Sequence, residues 1–147
     1  MSSLFRVLSF AIFAFGFSIS ALSQDLKGEW LLKVKDRSHK VKATLKIEFT
    51  TEKGQSCLAG DWLSVRVLSA TTNDKRFFPI SEPLSYSVDK DRITIGRNEI
   101  CDAYLGLRGR LQNGAANGEY YMFGFYGTKG IGYFSLKKQL NAEREKQ

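Results

Sequence analysis

From Trp30 to Tyr133 the chain alternates apolar and polar residues with few interruptions. Val41, Ala43, Leu45, Ile47 and Phe49 stand at every second position against Lys40, Lys42, Thr44, Lys46 and Glu48. That is the period-two pattern of a half-buried antiparallel strand. Trp30, Leu32 and Val34 repeat it, as do Leu63, Val65 and Val67, then Leu84, Tyr86 and Val88, with Ile93 and Ile95 as a shorter set. Leu105, Leu107 and Leu111 share a face, followed by Tyr121, Phe123 and Phe125 and finally Ile131 and Tyr133. The pattern predicts about eight strands, and no long segment carries a helical stripe.

Turn chemistry separates these sets. Asp36 to His39, Glu52 to Gln55 and Asp89-Lys90-Asp91 read as short links, Asn113 to Gly118 as a longer one, and Gly127 to Gly130 as the last. Pro79 and Pro83 mark an irregular crossing or an edge, because proline cannot donate to a ladder. Eight glycines crowd between Gly106 and Gly132, where they permit strong coiling and close backbone approach. A meander of short strands avoids exposed edges by closing on itself. The expected fold is therefore all-β, an antiparallel barrel of about eight strands over residues 24–140, with a two-sheet sandwich as the alternative. Residues 141–147 form a charged tail.

Composition narrows the class. The chain has 147 residues, 43% hydrophobic and 25% charged, which excludes wholesale disorder and suggests one domain. Residues 1–23 read as a secretory signal. Arg6 precedes an uncharged run from Val7 to Leu22, and Ala21-Leu22-Ser23 places small residues where a signal peptidase reads. Cleavage before Gln24 predicts a periplasmic or secreted product, and loss of Arg6 lowers the net charge from +7 to +6. In that oxidising compartment the two cysteines, Cys57 and Cys101, are expected to pair.

Gly28-Glu29-Trp30 opens the first strand. It resembles the G-x-W of lipocalins and related calycin barrels. The resemblance implies a Trp packed across the closed end of a barrel with a basic residue from the last strand above it, a place that Lys137 or Lys138 is positioned to take. It implies a barrel more than a particular function, and eight strands give an interior just filled by side chains or a cup able to hold one small ligand. Trp30, Tyr86, Tyr121, Phe123 and Phe125 are the expected ligand-binding aromatics, with Tyr120, Met122 and Tyr126 on the opposite face of their strand.

Catalytic signals are sparse. His39 is the only histidine and lies in a predicted turn, no G-x-S-x-G is present, and neither cysteine belongs to a C-x-x-C. No metal-ligand set and no cofactor motif are expected. Asp61, Glu99, Asp102 and Glu119 are the weak candidates for carboxylate chemistry at a barrel mouth. Charge is more informative. Lys33, Lys35, Arg37, Lys40, Lys42 and Lys46 cluster on the first hairpin opposite its apolar stripes, a surface suited to an acidic macromolecule or to lipid headgroups. Nucleic acid is not expected. The sequence thus predicts a binding barrel, acting through a cup or through its basic face, including as an inhibitor or protective protein. The alternatives are a small barrel isomerase or hydrolase and an envelope structural or assembly component.

Overall fold

Alternation this regular forces every strand to bury one face, and eight such strands have a common solution. A computed structural model of the chain describes residues 25–101 and 104–140. It shows a closed antiparallel meander: β1 (Glu29–Asp36), β2 (Val41–Lys53), β3 (Leu63–Thr72), β4 (Leu84–Asp89), β5 (Arg92–Arg97), β6 (Leu105–Gln112), β7 (Ala115–Gly124) and β8 (Gly127–Lys138). β8 pairs back onto β1 from Trp30↔Lys138 to Asp36↔Gly132, so the sheet has no free first or last edge. Residues 1–24, which include the segment expected to act as a signal, and the charged residues 141–147 lie outside the described residues.

The inward face is a continuous apolar core. Trp30, Leu32 and Val34 of β1 meet Leu45 and Ile47 of β2, Ile93 and Ile95 of β5, Leu107 and Leu111 of β6, and Phe134 and Leu136 of β8, all nearly or wholly buried. One end is closed by Trp30. Its indole Nε1 donates to the Leu26 carbonyl at 3.0 Å, Phe49 packs edge-on at 5.5 Å, and Lys138 Nζ lies 5.9 Å from the ring centroid. The same ammonium bonds the carbonyl and carboxylate of Asp25, tying the entering chain to the last strand.

The other end is filled by the β3–β4 link, residues 73–83. Only Leu63 to Val65 of β3 pair with β4, leaving a narrow seam. The link turns inward there and inserts Phe78 into the core, with Phe77 and Ile80 against it. Tyr120 Oη donates to the Phe77 carbonyl at 2.7 Å, and an Arg97–Glu82 ion pair anchors the link to β5. Pro79 and Pro83 mark this stretch in the sequence as an edge or an irregular crossing, and nothing there signals the plug.

Three predicted links sit elsewhere: Glu52 and Lys53 belong to β2, so the β2–β3 connection is residues 54–62 and not Glu52 to Gln55. The β6–β7 connection is a two-residue turn, with Asn113 at φ 50° and Gly114 at φ 71°. That is the geometry Asn-Gly supplies in a type I′ hairpin. The small residues that follow it belong to β7, where Ala116 faces the core and a Cβ on Gly118 would lie 2.0 Å from the Arg108 carbonyl oxygen. The last turn is not Gly127 to Gly130, which begins β8, but Phe125-Tyr126.

The outer wall carries a strap. Residues 54–62 fold back across the short strands β4 and β5, burying Ser85. Gln55 and Glu99 join by a backbone bond, Ser56 Oγ lies 3.2 Å from Tyr104 Oη, and Cys57 is disulfide-bonded to Cys101. The bridge spans 44 residues, a loop whose closure is worth about 4 kcal/mol through the unfolded state. Reduction, or the Cys57→Ser/Cys101→Ser variant, is expected to lower urea stability by that order; an unchanged midpoint would show that the strap adds nothing.

Candidate functional site

The five aromatic residues expected to line one cup occupy three separate places. Trp30 and Tyr86 are core residues: Phe49 packs between them, 4.7 Å from Tyr86, and Tyr86 Oη donates to the Thr50 carbonyl. Tyr121 and Phe123 lie on the outside of the wall, and Phe125 stands fully exposed at the β7–β8 turn. The faces of β7 are thus the reverse of the expected ones. Tyr120, at the position of Leu107 in β6, points inward and is completely buried, whereas Tyr121 lies over Gly106 on the outer side. The cause is parity set by small residues: Ala116 and Gly118 share the inward face with Tyr120, so the bulky alternation misleads. Likewise Gly132, Phe134 and Leu136 face inward along β8, and Tyr133 faces out, its ring stacked on His39 at 4.5 Å.

The interior has little space. The cavity bounded by Phe78, Leu84, Ile95 and Leu107 measures about 10 Å³, the room of one water at most. A larger depression of about 270 Å³ is an open groove on the surface, lined by residues 41–44 of β2 and Thr71, Thr72 and Asn73 at the end of β3.

On the outer wall, glycines make a floor for rings. Tyr104 lies flat on Gly96 and Tyr121 on Gly106, positions where a Cβ would collide with the phenols. Phe123 meets Tyr121 edge-on at 5.4 Å, and the Arg108 guanidinium sits 5.2 Å from the Tyr121 ring centroid. Burial pushes the Tyr121 phenol above its ordinary range while the neighbouring Arg108 guanidinium opposes the shift, and no described residue makes a hydrogen bond of good geometry to the hydroxyl. Burial raises the Tyr120 phenol much further, beyond the effect of nearby Arg97. Both tyrosines stay neutral at physiological pH and serve packing.

The basic hairpin is distributed more finely than its composition suggests. Lys42 pairs with Asp36 at 3.5 Å and Lys46 with Glu29 at 3.1 Å. Arg37 donates from both Nε and Nη2 to the Gly130 carbonyl, clamping the β1–β2 turn onto the β7–β8 hairpin. Lys33, Lys35 and Lys40 have no acidic partner within 4.0 Å among the described residues. They are the available charges of the face. His39, with φ 63°, occupies the turn between Arg37 and Lys40.

The weak catalytic candidates are carried by separate elements, two of them on links that the Cys57–Cys101 bridge joins. Asp61 is exposed in the β2–β3 link, Glu119 is exposed on the outer wall of β7 beside Arg108 and Tyr133, and Glu99 is exposed in the β5–β6 link. Asp102 lies outside the described residues. Among the described residues no group of three or more His, Cys, Asp or Glu is placed to hold a metal ion. No protein-family model, curated protein or solved structure matches the chain.

One carboxylate underlies the basic face. Desolvation pushes Asp36 upward, but the N–H groups of Lys40 and Ser38 and the Lys42 ammonium outweigh it and hold the carboxyl below its ordinary value of 3.8. A lowered folded-state pKa contributes stability that is fully present above the unfolded value and is lost as pH falls through the folded one. The urea midpoint of the wild type is therefore expected to fall more steeply below pH 3.8 than that of Asp36→Asn. Identical acid slopes would show that the turn does not depend on this charge.

Proposed function

We propose that this protein is a secreted or periplasmic binding barrel that recognises an acidic partner with its outer surface, at the face built by β1, β2 and the β7–β8 hairpin. The observation that carries the reading is the contrast between inside and outside. The interior is filled by Trp30, Phe49, Tyr86, Phe78 and Tyr120, whereas Lys33 and Lys35 of β1 and Lys40 of the following turn have no acidic partner within 4.0 Å among the described residues. Unpaired like charges on a small face create a field that steers and holds opposite charge.

Other features support the setting. A disulfide between Cys57 and Cys101 suits an oxidising compartment and hence the signal reading of residues 1–23. The resemblance to lipocalin and calycin barrels draws support from Lys138 above Trp30, but Phe78 and its link occupy the space a cup would need. Asp61 and Glu119 are both exposed, on a link and on the outer wall of β7, and among the described residues neither lines an enclosed pocket, which favours binding over carboxylate catalysis.

A charge-matched comparison tests the reading. Retention on immobilised polyglutamate is measured for Lys33→Glu/Lys35→Glu/Lys40→Glu and for Lys53→Glu/Lys90→Glu/Arg92→Glu, three exposed cations elsewhere. Both variants change net charge equally. The first is expected to weaken binding at least about tenfold more than the second; equal losses would mean only diffuse charge attraction and would overturn a localised face.

A further inference from the structure

A turn with two large aromatic residues at its corners is unusual, because water-exposed turns are normally built from Gly, Asn, Asp and Ser. Here the sequence had those residues to hand: Gly124 and Gly127 flank the pair, and Thr128 and Lys129 follow. Yet Phe125 and Tyr126 occupy the turn itself and both are fully exposed. Neither has a positive φ, and Gly127, at φ 102°, takes the left-handed position that closes the hairpin.

The hairpin also overhangs the barrel. β6 begins at Leu105, opposite Met122, and β1 ends at Asp36, opposite Gly132. Residues 124–130 therefore pair only within the hairpin and are all exposed, and a Cβ added at Gly124, Gly127 or Gly130 would meet nothing within 4 Å. The rings project into open space on a stalk. Arg37 fixes that stalk to the β1–β2 turn through the Gly130 carbonyl, so the tip has a defined direction relative to the basic face.

We infer that the Phe125-Tyr126 tip inserts into the interface of an anionic lipid bilayer, with the cations behind it lying at the level of the headgroups. This rests on the proposed acidic-partner surface and names the partner. Spacing supports it. Lys129 stands three residues behind Tyr126, roughly 10 Å along a strand, which matches the depth of about 5–10 Å between headgroups and the acyl boundary. Arg37 and Lys40 lie one step further back. Phe and Tyr are also the kind of pair that an interface accepts, one ring apolar and one with a polar end. A convex tip needs no preformed pocket in a fluid bilayer, whereas a protein partner would need a matching slot. The wall behind the tip carries Lys33 and Lys35 together with Glu119, so the barrel rests on the surface and does not span it.

The test is sedimentation of the full chain, expressed from its complete coding sequence and purified as the cell processes it, with sucrose-loaded vesicles. One set is phosphatidylcholine alone, and the other contains one part phosphatidylglycerol in about three, enough to give a negative surface. Binding to the anionic set is expected, with Phe125→Ser/Tyr126→Ser weakening it by about a hundredfold, roughly tenfold for each ring. That variant alters only exposed side chains, so folding is not at issue. A second readout is Tyr126→Trp, whose emission is expected to shift blue on anionic vesicles, against a background of buried Trp30 and Trp62.

Vesicle binding that is unchanged by the serine variant, or a tryptophan at 126 that stays in water, would overturn insertion. The polyglutamate comparison would still decide the acidic-partner surface on its own. If the serine variant weakened polyglutamate and vesicle binding equally, the tip would belong to recognition of a soluble acidic chain, and the membrane assignment would be wrong.

Discussion

The pairing of β8 with β1 is the constraint from which the rest of this molecule follows. Seven residue pairs, from Trp30↔Lys138 to Asp36↔Gly132, close the sheet. They do so only because position 132 is glycine: a Cβ there would lie 2.0 Å from the Lys35 carbonyl oxygen. Closure puts Lys138 above Trp30 at one end and ties it to Asp25. At the other end it brings the β1–β2 turn against the β7–β8 hairpin, where Arg37 holds the Gly130 carbonyl. A single register thus seals the core, sets the basic face beside the overhanging hairpin and fixes how far that hairpin projects.

Closure by itself leaves a weak place between β3 and β4, where three residue pairs hold the wall together. The chain covers that seam from both sides. Inside, the β3–β4 link drives Phe78 into the core and is held by Tyr120 and the Arg97–Glu82 pair. Outside, the β2–β3 link lies across β4 and β5 and is bolted to the β5–β6 link by Cys57–Cys101. The inner device consumes space that a ligand-binding barrel would leave open. A small barrel reinforced in this way is filled by its own side chains, which is why the proposed recognition is placed on the exterior.

Much of this architecture was legible in the sequence, and the errors have particular causes. The eight strands follow from alternation in which apolar side chains mark the buried face, as in Ala43, Leu45 and Ile47. β7 carries aromatic residues on both faces, so size does not say which is inward; the answer lies in Ala116 and Gly118, whose smallness hides their burial. Asn113-Gly114 was absorbed into a longer link because Ala115 to Gly118 show no apolar alternation. Turn propensity favours the glycines for the final turn, while the structure gives it to Phe125 and Tyr126. The plug formed by Phe77 and Phe78 has no periodic signature at all. The basic hairpin was readable as charge, but its pairing was not: only coordinates separate Lys42 and Lys46, which have carboxylate partners, from Lys33, Lys35 and Lys40.

A filled barrel that works through its exterior makes one demand that amide NMR addresses directly. Spectra of the isotope-labelled protein are recorded alone and with small anionic-lipid bicelles. The account predicts shift changes confined to residues 124–130, the Arg37–Lys40 turn and the outward positions Lys33 and Lys35, with the amides of Leu32, Ile47, Ile95 and Leu107 unmoved. Changes concentrated instead at those core amides, with the hairpin tip silent, would place the binding site inside the barrel and contradict it.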